Sequence, residues 1–159
     1  QELQRASDVG EQVVLAMHQL LVTPDGPSGR LASSPGDYVR NAAEVLRIIA
    51  RHPHVKLSLH GHVHGNSLSK CRHTHFATLA STTEFPMQWH ELDVRNCSLS
   101  LVSHALDLPL ANVSWQRDTR GFNALKAGQG GADQTGVVIR TCHQMQGAPA
   151  SSGGAVARS

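Results

Sequence analysis

The stretch VKLSLHGHVHGNS (residues 55–67) places three histidines among glycines, directly after a short apolar segment. Apolar and polar side chains alternate from Val55 to His60, which predicts a β-strand with its apolar residues on one face. His62 and His64 stand two positions apart, so in extended backbone their side chains would face the same side. Because histidine is the commonest metal ligand in proteins, this pair is a candidate for a metal site.

The residues before this strand predict the rest of a βαβ unit. Residues 11–22 (EQVVLAMHQLLV) have a continuous apolar centre, which is typical of a strand buried on both faces. A Pro/Gly/Ser-rich loop follows at 23–37. Apolar residues then recur at helical spacing over 37–53, where Asp37 is expected to cap the start and Pro53 marks the end.

Two strands joined by a helix are expected to be parallel neighbours, so their carboxyl ends meet at one edge of the sheet. Ligands collect at that edge in open α/β folds. His18 ends the first strand's apolar core, and His62 and His64 follow the second strand. Gly61 and Gly65 are expected to supply the backbone freedom of a sharp turn. These three histidines are therefore the candidate metal ligands.

The second half of the domain changes character. Residues 75–82, 87–94 and 98–106 are predicted to be short strands, and a turn at Arg95, Asn96 and Cys97 joins the last two as an antiparallel hairpin. Residues 136–140 (GVVIR) form a candidate final strand.

The chain divides into three regions by composition. Residues 1–108 are predicted to be part of one α/β domain, 109–140 an irregular extension, and 141–159 a disordered tail of small residues. Residues 1–8 have the pattern of an amphipathic helix and read as a helix that began before Gln1. We therefore expect the sequence to be a fragment of a longer protein.

The composition of the chain argues against several classes of binding partner. The formal net charge of +2 is too small to indicate nucleic acid or an anionic membrane, and the aromatic content of 4% argues against base-stacking surfaces. No apolar run is long enough to cross a bilayer. The three cysteines, an odd number without C-x-x-C spacing, predict neither a disulfide framework nor a thiolate zinc site. A reducing, cytoplasmic location fits this cysteine usage.

A chance origin competes with the metal interpretation, because the chain has 11 histidines. His60 is expected to face the opposite side of its strand. His73 and His75 form a second H-x-H pair, which we interpret as a surface loop leading into a strand. His90 and His104 lie on the predicted hairpin and are expected to be packing or solvent residues.

The HGHVHGNS block after an apolar strand resembles the GHxH block of the calcineurin-like metallophosphoesterases. The order of elements is similar to that family as well. A strand ending in a histidine, VVLAMH, comes first, then a helix, and then the strand that leads into GHVH. LASTTEFPMQWHELDV, after it, resembles the family's small-residue strand, polar turn and returning antiparallel strand.

The resemblance implies the C-terminal part of a four-layer α/β/β/α metallophosphoesterase sandwich. It implies two divalent cations (Mn, Fe or Zn), with His18 and His62 on one metal and His64 on the other. The family's D-x-H, G-D and G-N-H-[DE] motifs lie N-terminal to this region, and this sequence has no counterpart at the expected places. Gly36-Asp37 lies in the predicted helix cap, and VRNAAE is not G-N-H-E. No catalytic residue is therefore assigned.

The expected function is metal-dependent hydrolysis of a small-molecule phosphodiester or phosphomonoester by the parent protein, with the isolated chain inactive. A non-catalytic or decayed metal-binding domain is the alternative. A cupin-like β-barrel also uses H-x-H, but it requires a glutamate a few residues later. The first glutamate after His64 is Glu84, and residues 37–52 have a helical pattern.

Overall fold

The computed structural model describes residues 1–24, 31–106 and 137–141. The predicted extension between 109 and 136 and the predicted tail from 142 onward lie outside the described residues. Two β-sheets and two α-helices make up the described part, so the fold is mixed α/β. Neither of these helices is long and apolar enough to span a membrane.

The first sheet contains the predicted βαβ unit. Its four strands are β1 (Val13–Met17), β2 (Val55–His60), β3 (Ser67–Cys71) and β4 (Thr74–Thr78). They lie in the order β1-β2-β4-β3, with β1, β2 and β4 parallel and β3 antiparallel to β4. The parallel pairing of β1 with β2 confirms the prediction. The sequence prediction missed β3 and treated the turn at its end as a surface loop.

The position of β1 corrects another expectation. Among the described residues this strand forms an edge of the sheet, and its residues are partly buried or exposed rather than fully buried on both faces as predicted. Its apolar run reflects partial packing on both faces, because Val14 contacts the cluster between the sheets and Val13, Leu15 and Met17 contact the cluster on the helix side. The register of the strand is irregular between Val13 and Val14. Val55 pairs with Val13 at this irregularity and packs on the helix side of the sheet, whereas the alternation placed it with Leu57.

The helices are α1 (Glu2–Asp8) and α2 (Ala42–Ile49). Asp37 does not cap α2. It ends a 3₁₀ turn (Pro35–Asp37), and extended backbone at Tyr38 separates that turn from the helix. The Asp37 carboxylate instead accepts the backbone N–H of Ser34 at 2.7 Å. The Leu20 N–H donates to the carbonyl of Asp37 at 3.0 Å, and this bond holds Asp37 beside the end of β1.

The second sheet consists of β5 (Gln88–Arg95), β6 (Ser98–Ala105) and β7 (Val137–Arg140), all antiparallel. The β5–β6 hairpin and the final strand agree with the prediction. Cys97, in the hairpin turn, is disulfide-bonded, which the odd number of cysteines did not predict.

The core lies on both faces of the first sheet. One cluster joins the two sheets through buried residues of β2, β4, β6 and β7: Leu57, Ala77, Leu99, Leu101 and Ile139. A second cluster packs residues of both helices on the opposite face, around Ile49 and Phe76. Because β2 and β4 are packed on both faces, the ends of these strands that carry the cleft loops are held in fixed positions.

Candidate metal site

An open cleft of about 570 Å³ lies at the carboxyl ends of the parallel strands β1, β2 and β4. His18, His62 and His64 all line it. The βαβ topology explains this, because His18 directly follows β1 and the GHVH segment directly follows β2. The structure therefore brings the three sequence-predicted histidines to one edge of the sheet.

His18 and His62 are in direct contact. The Nε2 atom of His18 lies 3.1 Å from Nδ1 of His62, and the rings meet edge to face with centroids 5.0 Å apart. The other ring nitrogen of His62, Nε2, lies 3.3 Å from the Asp37 carboxylate. If His62 Nε2 carries the proton and donates it to Asp37, the lone pair of Nδ1 faces His18.

His64 has a carboxylate partner of its own. Its Nδ1 atom is hydrogen-bonded to Oε1 of Glu84, and both side chains are partly exposed. An ionised carboxylate only accepts hydrogen bonds, so Nδ1 of His64 is the donor and Nε2 is left with a lone pair. Histidines that bind metals typically donate their second ring N–H to a carboxylate in this way.

The backbone of the GHVH segment is not extended. His62 has φ 64° and His64 has φ 53°, both in the left-handed region that residues other than glycine rarely adopt. The expectation that His62 and His64 lie in extended backbone was therefore wrong, although both side chains line the same cleft as expected. Gly61 and Gly65 do not carry the positive φ angles. Such strain persists only where the surroundings impose it, and it is common at functional sites.

Buried contacts hold this strained segment in place. The Val63 side chain, between the two histidines, is buried in a small apolar cluster with Leu20 and Ala32. Gly61 N–H donates to the carbonyl of His18 at 3.1 Å, and Val63 N–H donates to that of Gly61 at 2.8 Å. The first bond ties the segment after β2 to the end of β1.

Asn66 fixes the far end of the same segment. Its side-chain oxygen accepts the Ala80 N–H at 2.9 Å, and its amide nitrogen donates to Gln88 of β5. Asn66 and Gln88 are almost completely buried. The histidine segment is thus connected to both sheets.

His60 is excluded as a ligand by its hydrogen bonds. Its Nδ1 donates to the carbonyl of Gln19 at 2.8 Å, so Nε2 must accept from the Ser58 hydroxyl at 2.9 Å. Both ring nitrogens are therefore occupied. Burial lowers the pKa of His60, which favours this neutral form.

Three further histidines named from the sequence, His73, His75 and His90, are not available as ligands at this site. His90 lines the cleft, but its Nε2 donates to the Ala80 carbonyl at 3.3 Å and its Nδ1 accepts from Ser103 at 3.0 Å. Burial also lowers the pKa of His90. His73 and His75 do not line the cleft; His73 donates to the carbonyl of Ile49 at the end of α2.

The donor set fits a divalent cation in part. Two imidazole nitrogens that bind one cation at ~2.0–2.1 Å are separated by roughly 3.0–3.4 Å, and the 3.1 Å between His18 and His62 falls in this range. Among the described residues, however, no group of three or more His, Cys, Asp or Glu side chains is arranged to hold a metal. A cation at His18 and His62 would need its other ligands from solvent, substrate or further residues.

Sequence reasoning missed Asp37 and Glu84. It assigned Asp37 to a helix cap, and it considered Glu84 only as a cupin-type ligand, for which Glu84 lies too far from His64 in the sequence. The usable signal for Asp37 was its position at the end of the long Pro/Gly/Ser loop, which returns to the carboxyl edge of the sheet. For Glu84 it was the polar turn STTEFP after β4, which ends at that same edge.

No model of a known protein family matches this sequence, and no curated protein is significantly similar to it.

Proposed function

We propose that this chain supplies the histidine ligands of a divalent-cation centre that hydrolyses small-molecule phosphate esters, in the manner of the calcineurin-like metallophosphoesterases. The observation that carries the proposal is the contact between His18 and His62 at the carboxyl edge of parallel strands, with their ring nitrogens 3.1 Å apart. A hydrolase acting on phosphodiesters or phosphomonoesters is the class that this edge and this ligand chemistry support best.

The histidines have separate roles in the proposal. His18 and His62 bind one cation and His64 binds the other, each through the ring nitrogen that faces the cleft. Mn, Fe or Zn suits imidazole ligands together with carboxylates. When bound, such cations would polarise the phosphate oxygens and lower the pKa of the attacking water. Asp37 and Glu84 hold the protons on the remote ring nitrogens of His62 and His64, which keeps the cleft-facing lone pairs available.

The proposal extends to the architecture. Both described helices pack on one face of the first sheet, and the second sheet packs on the other. This order supports three layers of the proposed four-layer α/β/β/α sandwich. The fourth, helical layer would cover the remaining face of the second sheet.

Three histidines are too few for two tightly bound cations, because each cation needs several deprotonated ligands. The D-x-H, G-D and G-N-H-[DE] motifs that supply the carboxylates in the family have no counterpart at the places in this sequence where the family has them. We therefore propose that the 159-residue chain binds a cation and phosphate but does not by itself turn over substrate rapidly.

A non-catalytic metal-binding or decayed domain is the second candidate. The observation that favours it is that no ready-made set of three ligands occurs among residues 1–24, 31–106 and 137–141. The two candidates differ in phosphate binding, since only a phosphoesterase centre is expected to bind phosphate in a cation-dependent way.

Electron paramagnetic resonance titration with Mn²⁺ and calorimetric titration with inorganic phosphate test the proposal. The chain should bind Mn²⁺ and should bind phosphate only when Mn²⁺ is present. His62→Ala should lose both, and the control His73→Ala, outside the cleft, should lose neither. Mn²⁺ uptake that His62→Ala leaves unchanged would refute the ligand assignment, and Mn²⁺ uptake without phosphate binding would favour the non-catalytic domain.

Rapid turnover of bis(p-nitrophenyl) phosphate by the chain with Mn²⁺ would contradict the proposed need for further carboxylate ligands.

A further inference from the structure

A second cavity, the α2 cavity, has a volume of about 420 Å³ and lies between α2 and the turn that joins β3 to β4. Its floor consists of apolar side chains of the helix-side core: Leu46, Ile49 and Phe76. Among the described residues, none lines both this cavity and the histidine cleft. Small-molecule sites in proteins are typically concavities of ~300–1,000 Å³ with mostly apolar walls and a few polar groups. The α2 cavity has the size and the floor of such a site.

Two arginines line the α2 cavity, Arg47 on α2 and Arg72 in the β3–β4 turn. Both residues are exposed at the protein surface. Within the part of the chain that the structure describes, neither arginine forms an ion pair with a carboxylate, and no Asp or Glu lines the cavity. The rim of the cavity is therefore positively charged, whereas its floor is apolar. An anionic group attached to an apolar chain matches both features.

The turn that carries Arg72 is strained by this residue. Cys71 pairs with Thr74 at the ends of β3 and β4, so the turn consists of only Arg72 and His73. Arg72 has φ 55°, a left-handed conformation for which two-residue turns usually have glycine or asparagine. His73 Nε2 donates to the carbonyl of Ile49 at 3.1 Å, which ties the turn to the end of α2. Turn geometry therefore does not explain an arginine at position 72, whereas an anion at the rim of the cavity does.

We propose that the α2 cavity binds one molecule of a medium-chain fatty acid, with its alkyl chain on the apolar floor and its carboxylate at Arg47 and Arg72. A single molecule fits better than a membrane surface, because a bilayer takes up protruding apolar side chains, whereas Ile49 and Phe76 are each only 3% exposed. The proposal goes beyond the proposed function and does not depend on it, since none of the candidate metal ligands takes part.

Calorimetric titration with butanoate, hexanoate and octanoate, below their micelle concentrations, tests the proposal. These anions have the same charge and differ only in the length of the alkyl chain. We expect the affinity to rise about fourfold for each added methylene, which is the effect of burying one such group. Octyltrimethylammonium, which has a similar alkyl chain and the opposite charge, should bind about tenfold more weakly than octanoate. An affinity that does not depend on chain length, or equal affinities for the two charges, would overturn the proposal.

Substitutions of single arginines test the rim. Arg72→Gly and Arg47→Gln should each weaken octanoate binding about twofold to fivefold, the range for an ion pair exposed to water. Arg72→Gly should not lower Tm, because glycine adopts φ 55° without strain, so a loss of binding in this variant is not a loss of folding. Arg51→Gln is the matched control, since Arg51 lies just after α2, is exposed and does not line the cavity. A loss in Arg51→Gln as large as that in Arg72→Gly would show that net charge alone attracts octanoate, and would overturn the assigned site.

Cys71 reports where the ligand is bound. Its side chain is a free, exposed thiol that lines the α2 cavity. Saturating octanoate should slow the alkylation of Cys71 by iodoacetamide, measured by mass spectrometry of the peptide that contains this residue. An unchanged alkylation rate would place the bound octanoate elsewhere and overturn the proposal. Binding to phosphatidylglycerol vesicles without binding of octanoate would also overturn it, because the arginines would then recognise a membrane surface.

Discussion

Replacing Asp37 by asparagine tests how the structure prepares His62 for a cation. One carboxylate oxygen of Asp37 accepts the Ser34 N–H at 2.7 Å, and the other lies 3.3 Å from Nε2 of His62. Asparagine has a single oxygen. If that oxygen keeps the bond to Ser34, the amide NH₂ faces His62 and demands an acceptor there. The imidazole proton would then move to Nδ1 and block the nitrogen that faces His18.

The size of the effect follows from this change of tautomer. Loss of a carboxylate that orients a ligating histidine costs roughly tenfold to a hundredfold in metal affinity, or about 1.4–2.7 kcal/mol. The Asp37 side chain is only 16% exposed, so water screens it weakly, and we expect a loss near the upper end. Glu84 is 42% exposed, and Glu84→Gln should therefore cost about tenfold or less.

Competition titration of Zn²⁺ against a chromogenic chelator measures these affinities. Asp93→Asn is the matched control, because Asp93 is paired with Arg95 on β5 and does not line the cleft. Circular dichroism should show that all three variants are folded. An Asp37→Asn affinity equal to that of the control, or a larger loss in Glu84→Gln, would refute the tautomer argument.

Three further predictions concern stability, measured on metal-free protein. Leu57→Ala removes a fully buried side chain between the two sheets and should lower the free energy of unfolding in denaturant by about 3–5 kcal/mol, whereas the exposed control Val94→Ala should lower it by less than about 0.5 kcal/mol. Similar losses in both variants would contradict the described core. His62→Gly should be more stable than His62→Ala by about 1–2 kcal/mol, because only glycine adopts φ 64° without strain, and equal stabilities would show that no strain is present. Burial lowers the pKa of His90 below 6.5, so as the pH falls through 6.5 the unfolded chain protonates this histidine before the folded chain does, and Tm should fall. His90→Gln should reduce this fall in Tm, and an unchanged pH dependence would contradict the lowered pKa of His90.

The sequence predicted the elements that depend on local pattern. Alternation located β2 and the β5–β6 hairpin, and helical spacing located α2. Chain direction then placed His18 and the GHVH segment at one edge, because consecutive strands joined by a helix are almost always parallel. These rules need no tertiary detail, and the structure agrees with them.

The failures all depend on tertiary contacts. Hydrophobicity alone could not show that β1 is an edge strand, because its exposure depends on which strands lie beside it. The left-handed backbone of His62 and His64 follows from the burial of Val63 and from bonds to β1, which no periodicity reports. Glu84 reaches His64 across twenty residues because β4 returns to the same edge.

The most direct test of the account is ¹⁵N NMR of the histidine rings during a Zn²⁺ titration. Zinc should shift the resonances of Nε2 of His18, Nδ1 of His62 and Nε2 of His64, while the protons facing Asp37 and Glu84 should remain in place. Unmoved resonances of His18 and His62, with zinc shifting the rings of His73 or His75 instead, would contradict it.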